Sequence, residues 1–416
     1  MAASPAPFTL VVAPDKFKGS LRAAEAAAAI AAGAREAATE LGVTLRVRAC
    51  PVADGGDGLV EAAVAAGFTA HERSVAGPTG ERVDARFAVG TDPADGRSLA
   101  VVELASASGL AVLPGSRPTS ATARTASTRG TGELVAAALA LGVQRLLLGL
   151  GGSAGTDGGA GLATALGARF LDAAGRDLAP GGAALRDLDR VDLSALDARL
   201  SSVEVVVACD VDSPMNGPTG AAAVYGPQKG ARPDDVAALD EGLRRLARVL
   251  HRDTGADVER LPGAGAAGGT GGGAVALLGA RLVPGAEAVL GLVGFDRALA
   301  GAQLVVTGEG SLDAQSLAGK APLGVARAAA ARGVPVLFLA GRVDLDEDAT
   351  AALHSLGAVG LHALTDLEPD LSVARRDASV LLRTLAARTV GPLLGGPAAA
   401  PTLPRPSTPT TARSPA

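Results

Sequence analysis

The sequence predicts an α/β fold in two parts, a Rossmann-like parallel-sheet domain and a second mixed α/β domain inserted into it. Three observations carry this. Short β-branched runs such as Val203–Cys209 have the pattern of parallel strands buried on both faces. Ala-rich stretches of helical length separate them, and several runs end in loops that combine glycine with a carboxylate. One region departs from this pattern. Val83, Ala85, Phe87 and Val89 alternate with Arg82, Asp84 and Arg86, as in a half-buried strand of period two.

In chain order, Phe8–Ala13 forms a strand and Pro14-Asp15-Lys16-Phe17-Lys18-Gly19 a loop. Ser20 is the expected N-cap of an Ala-rich helix and Gly42 its C′ residue. Val43–Cys50 is the next strand, leading into Ala53-Asp54-Gly55-Gly56-Asp57-Gly58 and completing a βαβ unit. Turn signals at Pro78-Thr79-Gly80 and Asp95-Gly96 make 68–115 an antiparallel meander. Helix and strand return over 132–150 and run into a loop from Gly151 to Gly159. Pro233 opens a helix to residue 250 with an apolar stripe at Val236, Leu239, Leu243, Leu246 and Leu250. The segment 263–273 is almost too glycine-rich to order by itself. Strands are expected at Leu304–Val306, Val334–Leu339 and Ala358–Leu364. The domain division is then 8–66 with 287–390 for the first part and 67–286 for the second, with some of 120–166 assignable to either. The tail 397–416, with six prolines in twenty residues, is expected to be disordered.

Composition excludes several classes. A chain of 416 residues with 48% hydrophobic content can build two cores. A net charge of −5 gives no basic footprint for nucleic acid or an anionic membrane. Two cysteines, Cys50 and Cys209, make no disulfide framework, and neither a signal peptide nor an 18-residue apolar run is present. A cytoplasmic protein is expected.

Only four of the 38 basic residues are lysines, and all four lie in Gly/Pro-rich loops: Lys16, Lys18, Lys229 and Lys320. Arg and Lys serve equally on a solvated surface, but a compact ammonium and a planar fork differ at a phosphate or substrate site. The only Asn (Asn216) and the only Tyr (Tyr225) fall beside Asp210 and Lys229 in one stretch. Four loops follow strands and join glycine to carboxylates at Asp54/Asp57, Asp157, Asp210/Asp212 and Glu309/Asp313. Glycine lets backbone N–H groups approach an anion, and carboxylates hold a hard cation that bridges phosphates. Together these are the parts of a phosphoryl-transfer site.

Two other local motifs compete. Gly151-Gly152-Ser153-Ala154-Gly155 has the G-x-S-x-G form of a hydrolase nucleophile elbow, with Asp313 and His354 or His362 downstream in the right order. Gly149-x-Gly151-x-x-Ala154 and Gly263-x-Gly265-x-x-Gly268 mimic dinucleotide fingerprints without the full context. A Walker A loop is absent. A serine hydrolase using Ser153 and a non-catalytic small-anion-binding protein are the alternatives to a kinase.

Read together, VAPDKFKGSL (12–21), PVADGGDG (51–58), ELASASGL (103–110), RGTGEL (129–134), GLGGSAGTDGGAG (149–161), ACDVDSPMNGPTGAAAVYGPQKGA (208–231), GAGAAGG (263–269) and TGEGSLDAQSLAGKAP (307–322) resemble the type 1 glycerate kinase family. They stand in the family's order and span roughly residues 8–390. The resemblance implies two α/β domains with the active site in the cleft between them. It also implies an ATP- and Mg²⁺-dependent kinase giving 2-phosphoglycerate from D-glycerate, as monomer or homodimer, without nucleic-acid or membrane partners. Ser213 departs from the family's usual Asn, with Asn216 three residues on.

On that reading Lys18, with Lys16 beside it, meets the substrate carboxylate, and Asp15 and Asp54 complete the substrate site. Asp210 is the base or else a metal ligand, and Asp57 and Glu309 are metal ligands. Gly151, Gly152, Ser153, Gly308, Gly310, Ser311 and Asp313 face the nucleotide phosphates. Lys229 or Lys320 neutralises charge on the transferred group.

Overall fold

A computed structural model describes residues 6–53, 58–313, 316 and 321–394. The expected tail, together with Asp54, Asp57 and Lys320, lies outside the described residues.

Two sheets organise the chain. The first holds β1 (Phe8–Pro14) and β2 (Leu45–Ala49) from the start of the chain. The second holds β3 (Thr69–Ala76), β4 (Arg82–Thr91), β5 (Ser98–Glu103), β6 (Arg145–Gly149), β7 (Glu204–Ala208) and β8 (Arg281–Val283). β9 (Leu304–Gly308), β10 (Val336–Ala340) and β11 (Ala358–Ala363) return to the first sheet, whose order is β11-β10-β9-β1-β2, all parallel. The second has the order β8-β7-β6-β5-β4-β3, with β5 to β8 parallel and β3 and β4 antiparallel. The chain is thus α/β with one parallel and one mixed sheet. The region 120–166 supplies β6 to the middle of the second sheet.

Period-two alternation sorts the strand side chains into three apolar layers. Leu10 and Val12 face one way, against the helices Ala23–Glu40 and Ala378–Leu394. Val11 and Ala13 face the other way, into a layer shared with Val101, Leu147 and Val206 of the second sheet. The helices Leu59–Ala65, Gly285–Leu292 and Ala321–Ala330 fill that shared layer. Val102, Leu148 and Val207 point to the far side, toward Arg129–Leu139 and Pro233–Thr254. A continuous apolar middle therefore couples the two sheets, and their carboxyl ends can hold a fixed geometry across the gap.

Two local expectations need correction. Ser20 does not cap the first helix. Arg22 takes that place, and Glu25 accepts the Arg22 N–H at 2.9 Å, while Ser20 Oγ donates to Phe17 O. The glycine-rich segment is ordered and forms the buried helix Ala266–Leu278. Its first turn runs left-handed through Ala267, Gly268 and Gly269. Glycine's entropic cost in a helix is offset here by backbone contact. A Cβ at Gly273 would overlap the Gly158 carbonyl, and one at Gly271 the Gly263 carbonyl.

Candidate active site

The strand registers bring the acid-and-glycine loops together. Pro14 pairs with Gly308, so Asp15 and Glu309 leave adjacent strands side by side. Glu103 pairs with Gly149 and Gly149 with Ala208, so the loops beginning at Leu150 and Cys209 are neighbours on the second sheet. A cleft of about 940 Å³ lies across these carboxyl ends, the position where open α/β sheets hold their ligands. Asp15, Lys16, Lys18, Gly151, Gly152, Asp210, Glu309, Gly310, Ser311 and Asp313 all line it.

Its walls carry unspent donors. Among the described residues, no protein acceptor takes the backbone N–H of Lys18, Gly19, Gly151, Gly152, Gly310 or Ser311. Gly19 and Gly152 reach their turns at φ of 80° and 65°, a region most side chains avoid. A Cβ on Gly310 would stand 2.9 Å from the Lys18 backbone nitrogen, so only glycine lets those two loops meet. The Ser311 hydroxyl is buried and has no partner among the described residues. Such a set suits an oxyanion with many acceptor oxygens.

The carboxylates differ in setting. Asp15 is 4% exposed and accepts the Lys16 N–H, and Glu309 is 7% exposed. Asp210 is exposed, and its Oδ1 accepts the Gly285 N–H at 2.7 Å, at the start of the helix Gly285–Leu292. Asp313 and Ser316 bond each other's N–H groups. Among the described residues no three His, Cys, Asp or Glu side chains converge as a ready-made metal cage. Asp210 and Glu309 in one cleft suit Mg²⁺ nonetheless, because that ion keeps waters and phosphate oxygens and needs only one or two protein carboxylates.

Three predicted residues stand elsewhere. Gly308 does not line the cleft. Its carbonyl accepts the Asp15 N–H at 2.8 Å, and a Cβ there would overlap the Leu339 carbonyl of β10. Ser153 lies behind the glycine loop, 6% exposed. Lys229, 2% exposed, is buried under the same loop and donates to Ser153 Oγ at 2.7 Å and Gly155 O at 2.6 Å. Burial pushes its ammonium down to about 7, against the pull of Asp157. Among the described residues Ser153 is bonded to Lys229 and not to a histidine, and His354 is bonded to Ala358 O.

Sequence reasoning passed over Cys209, Ala266 and the Arg22–Glu25 pair, all of which line the cleft. Burial, with Asp210 and Asp212 nearby, raises the Cys209 thiol. Ala266 had a signal in the 263–269 motif. Arg22 and Glu25 had none, since an i,i+3 pair at a helix start is ordinary.

The glycerate kinase family model matches residues 10–393. The chain belongs to that family. Relatives named glycerate kinase include one from Halalkalibacterium halodurans, 44% identical over 80% of this chain and 85% of the relative. One from Bacillus subtilis is 45% identical over 82% and 86%. A relative named glycerate 2-kinase, from Escherichia coli K12, is 41% identical over 84% of this chain and 89% of its own. A crystal structure from Salmonella typhimurium LT2 with a glycerate kinase 2 assignment superposes with a TM-score of 0.79. It is 39% identical, covering 93% of this chain and 98% of the other. In this family member, as described, no helix is long and apolar enough to cross a membrane.

Proposed function

We propose that this chain is a glycerate kinase that moves the γ-phosphoryl group of ATP to a hydroxyl of D-glycerate, giving 2-phosphoglycerate. The observation that carries the reading is the convergence of three loops with unspent N–H donors on a cleft that also holds Asp210, Glu309, Lys16 and Lys18. A triphosphate needs many donors, and a small hydroxy acid needs a cation for its carboxylate.

In this reading the N–H groups of Gly151, Gly152, Gly310 and Ser311 hold phosphate oxygens, and Ser311 Oγ adds a hydroxyl donor. Lys18, with Lys16 adjacent, meets the glycerate carboxylate, and Asp15 orients the Lys16 backbone. Asp210, exposed in the cleft and fixed through Gly285, takes the proton from the attacking hydroxyl or else ligates the metal. Glu309 is the buried metal ligand. Glu309 and Asp210 would hold Mg²⁺, which would supply positive charge against the phosphate oxygens. Asp54, Asp57 and Lys320 keep their assignments as substrate, metal and transferred-group contacts. The strands divide into a first lobe, 8–66 with 287–390, and a second, 67–286, with the cleft between them. We place the enzyme in the cytoplasm.

A coupled assay for ADP release with D-glycerate, followed by ³¹P NMR of the product, tests this. Absence of glycerate-dependent ADP release overturns the kinase reading, and a 3-phospho product overturns the regiochemistry.

A further inference from the structure

Lys229 stands outside the cleft, yet both of its observed bonds end on the loop that borders it. The acceptors are Ser153 Oγ and Gly155 O, directly after Gly151 and Gly152, whose N–H groups have no protein acceptor among the described residues. The backbone ties on this stretch are neutral. Leu110 N donates to Gly152 O at 2.9 Å, Ala154 N to Ser108 O at 2.9 Å, and Gly158 N to Gly268 O at 3.0 Å. Asp157 is occupied by Thr128 and by the N–H groups of Gly159 and Gly161. Lys229 thus supplies the positive charge behind the edge that faces the cleft.

We propose that Lys229 is a positioning residue for the nucleotide: its ammonium holds residues 151–155 in the form that offers Gly151 and Gly152 to phosphate oxygens, and while protonated it sets a positive charge behind them. This rests on the kinase reading above. It also explains why a lysine persists here in an arginine-rich chain, since a desolvated pocket ending on one hydroxyl and one carbonyl accepts a compact ammonium and not a planar fork.

A buried amine can also change its charge. Burial lowers Lys229 to about 7, and the Asp157 carboxylate opposes that. On the helix Pro233–Thr254 that follows, Asp235 is bonded to Ser120, Arg124 and the Arg232 N–H. Phosphate bound over the loop favours the ammonium. The ionisation should therefore sit higher in the nucleotide complex, read by kcat, than in the free enzyme, read by kcat/KM.

The experiment is steady-state kinetics of the full chain and of Lys229→Met between roughly pH 5.5 and 9, with calorimetric titration of ADP. In the wild type, kcat/KM for ATP falls as pH rises through about 7, and the corresponding limb of kcat lies at higher pH. Lys229→Met removes that limb, raises KM for ATP and Kd for ADP about tenfold, and leaves KM for glycerate nearly unchanged. Wild-type ADP affinity in the variant, or an unaltered pH limb, overturns the proposal. Should Lys229→Met fail to fold, Ser153→Ala decides. Losing a bond to the charged form moves the midpoint to lower pH, and an unmoved midpoint with unchanged KM for ATP overturns the idea. A wild type that binds ADP yet releases none with glycerate overturns the kinase reading instead, and the tenfold ADP comparison still tests Lys229.

Discussion

Burying Lys229 has a consequence for stability as well as for the site, and Lys229→Met isolates it. In the unfolded chain the amine titrates at its ordinary value of 10.5, and in the folded chain at about 7. Below about 7 both states hold the proton, and the folded state bears the full cost of a desolvated ammonium. That cost is on the order of 5 kcal/mol from the gap between the two values. Between about 7 and 10.5 the unfolded chain is protonated and the folded chain is not, so stability from this group rises with pH. The slope approaches about 1.4 kcal/mol per pH unit, and above 10.5 it vanishes. Methionine keeps the apolar stem without the titration but leaves Ser153 Oγ and Gly155 O without their donor, at about 1 kcal/mol each. The variant should match or exceed the wild type near pH 6. It should then lose about 3 kcal/mol relative to it by pH 9. Urea unfolding of both proteins at a series of pH values measures this, because other titrating groups cancel in the difference. A difference that stays constant across that range would refute the buried-ammonium account.

Four further outcomes follow from the cleft. Asp210→Asn should lower kcat by roughly 10²-fold or more if the carboxylate accepts the hydroxyl proton, and near-normal turnover excludes it as base. Gly310→Ala sets a Cβ 2.9 Å from the Lys18 backbone nitrogen and forces those loops apart, so kcat/KM should fall by about 10²-fold with the melting temperature little changed. Glu309→Gln should raise the Mg²⁺ concentration needed for half-maximal rate about tenfold or more, and an unchanged Mg²⁺ titration removes Glu309 from the metal site. Lys18→Met should raise KM for glycerate more than KM for ATP, by about tenfold, and the opposite ranking would move Lys18 to the phosphates.

Much of the fold was legible because strands buried on both faces announce themselves locally. Val203–Cys209 needed no tertiary information to read as β7, and the alternation at Val83, Ala85, Phe87 and Val89 marked the antiparallel edge. The glycine-rich helix Ala266–Leu278 was hidden for the opposite reason. Its order comes from carbonyls at Gly158 and Gly263 pressed against its own backbone, which no local propensity registers. Ser20 failed as a cap because Glu25 accepts three hydrogen bonds from Arg22, and Ser20 is already held in the turn by Phe17 O.

The site was legible as a set of loops but not as a division of labour. Glycine and acid after a strand predict that a loop reaches the carboxyl end of a sheet, and Asp15, Gly151, Gly152, Asp210 and Glu309 all did so. Which face of the loop a side chain takes depends on register and depth, and these are tertiary. Gly308 and Gly310 are two residues apart, yet one closes on β10 and the other opens on the cleft. The four lysines illustrate the same limit. Scarcity marked all of them as placed for a reason, but Lys16 and Lys18 border the cleft while Lys229 is buried behind its glycine loop. A phosphate site built from backbone N–H groups cannot be read from side-chain chemistry alone, because what must be specified is the shape of the loop. Under the proposal above, Lys229, bonded to Ser153 Oγ and Gly155 O, specifies that shape at one edge.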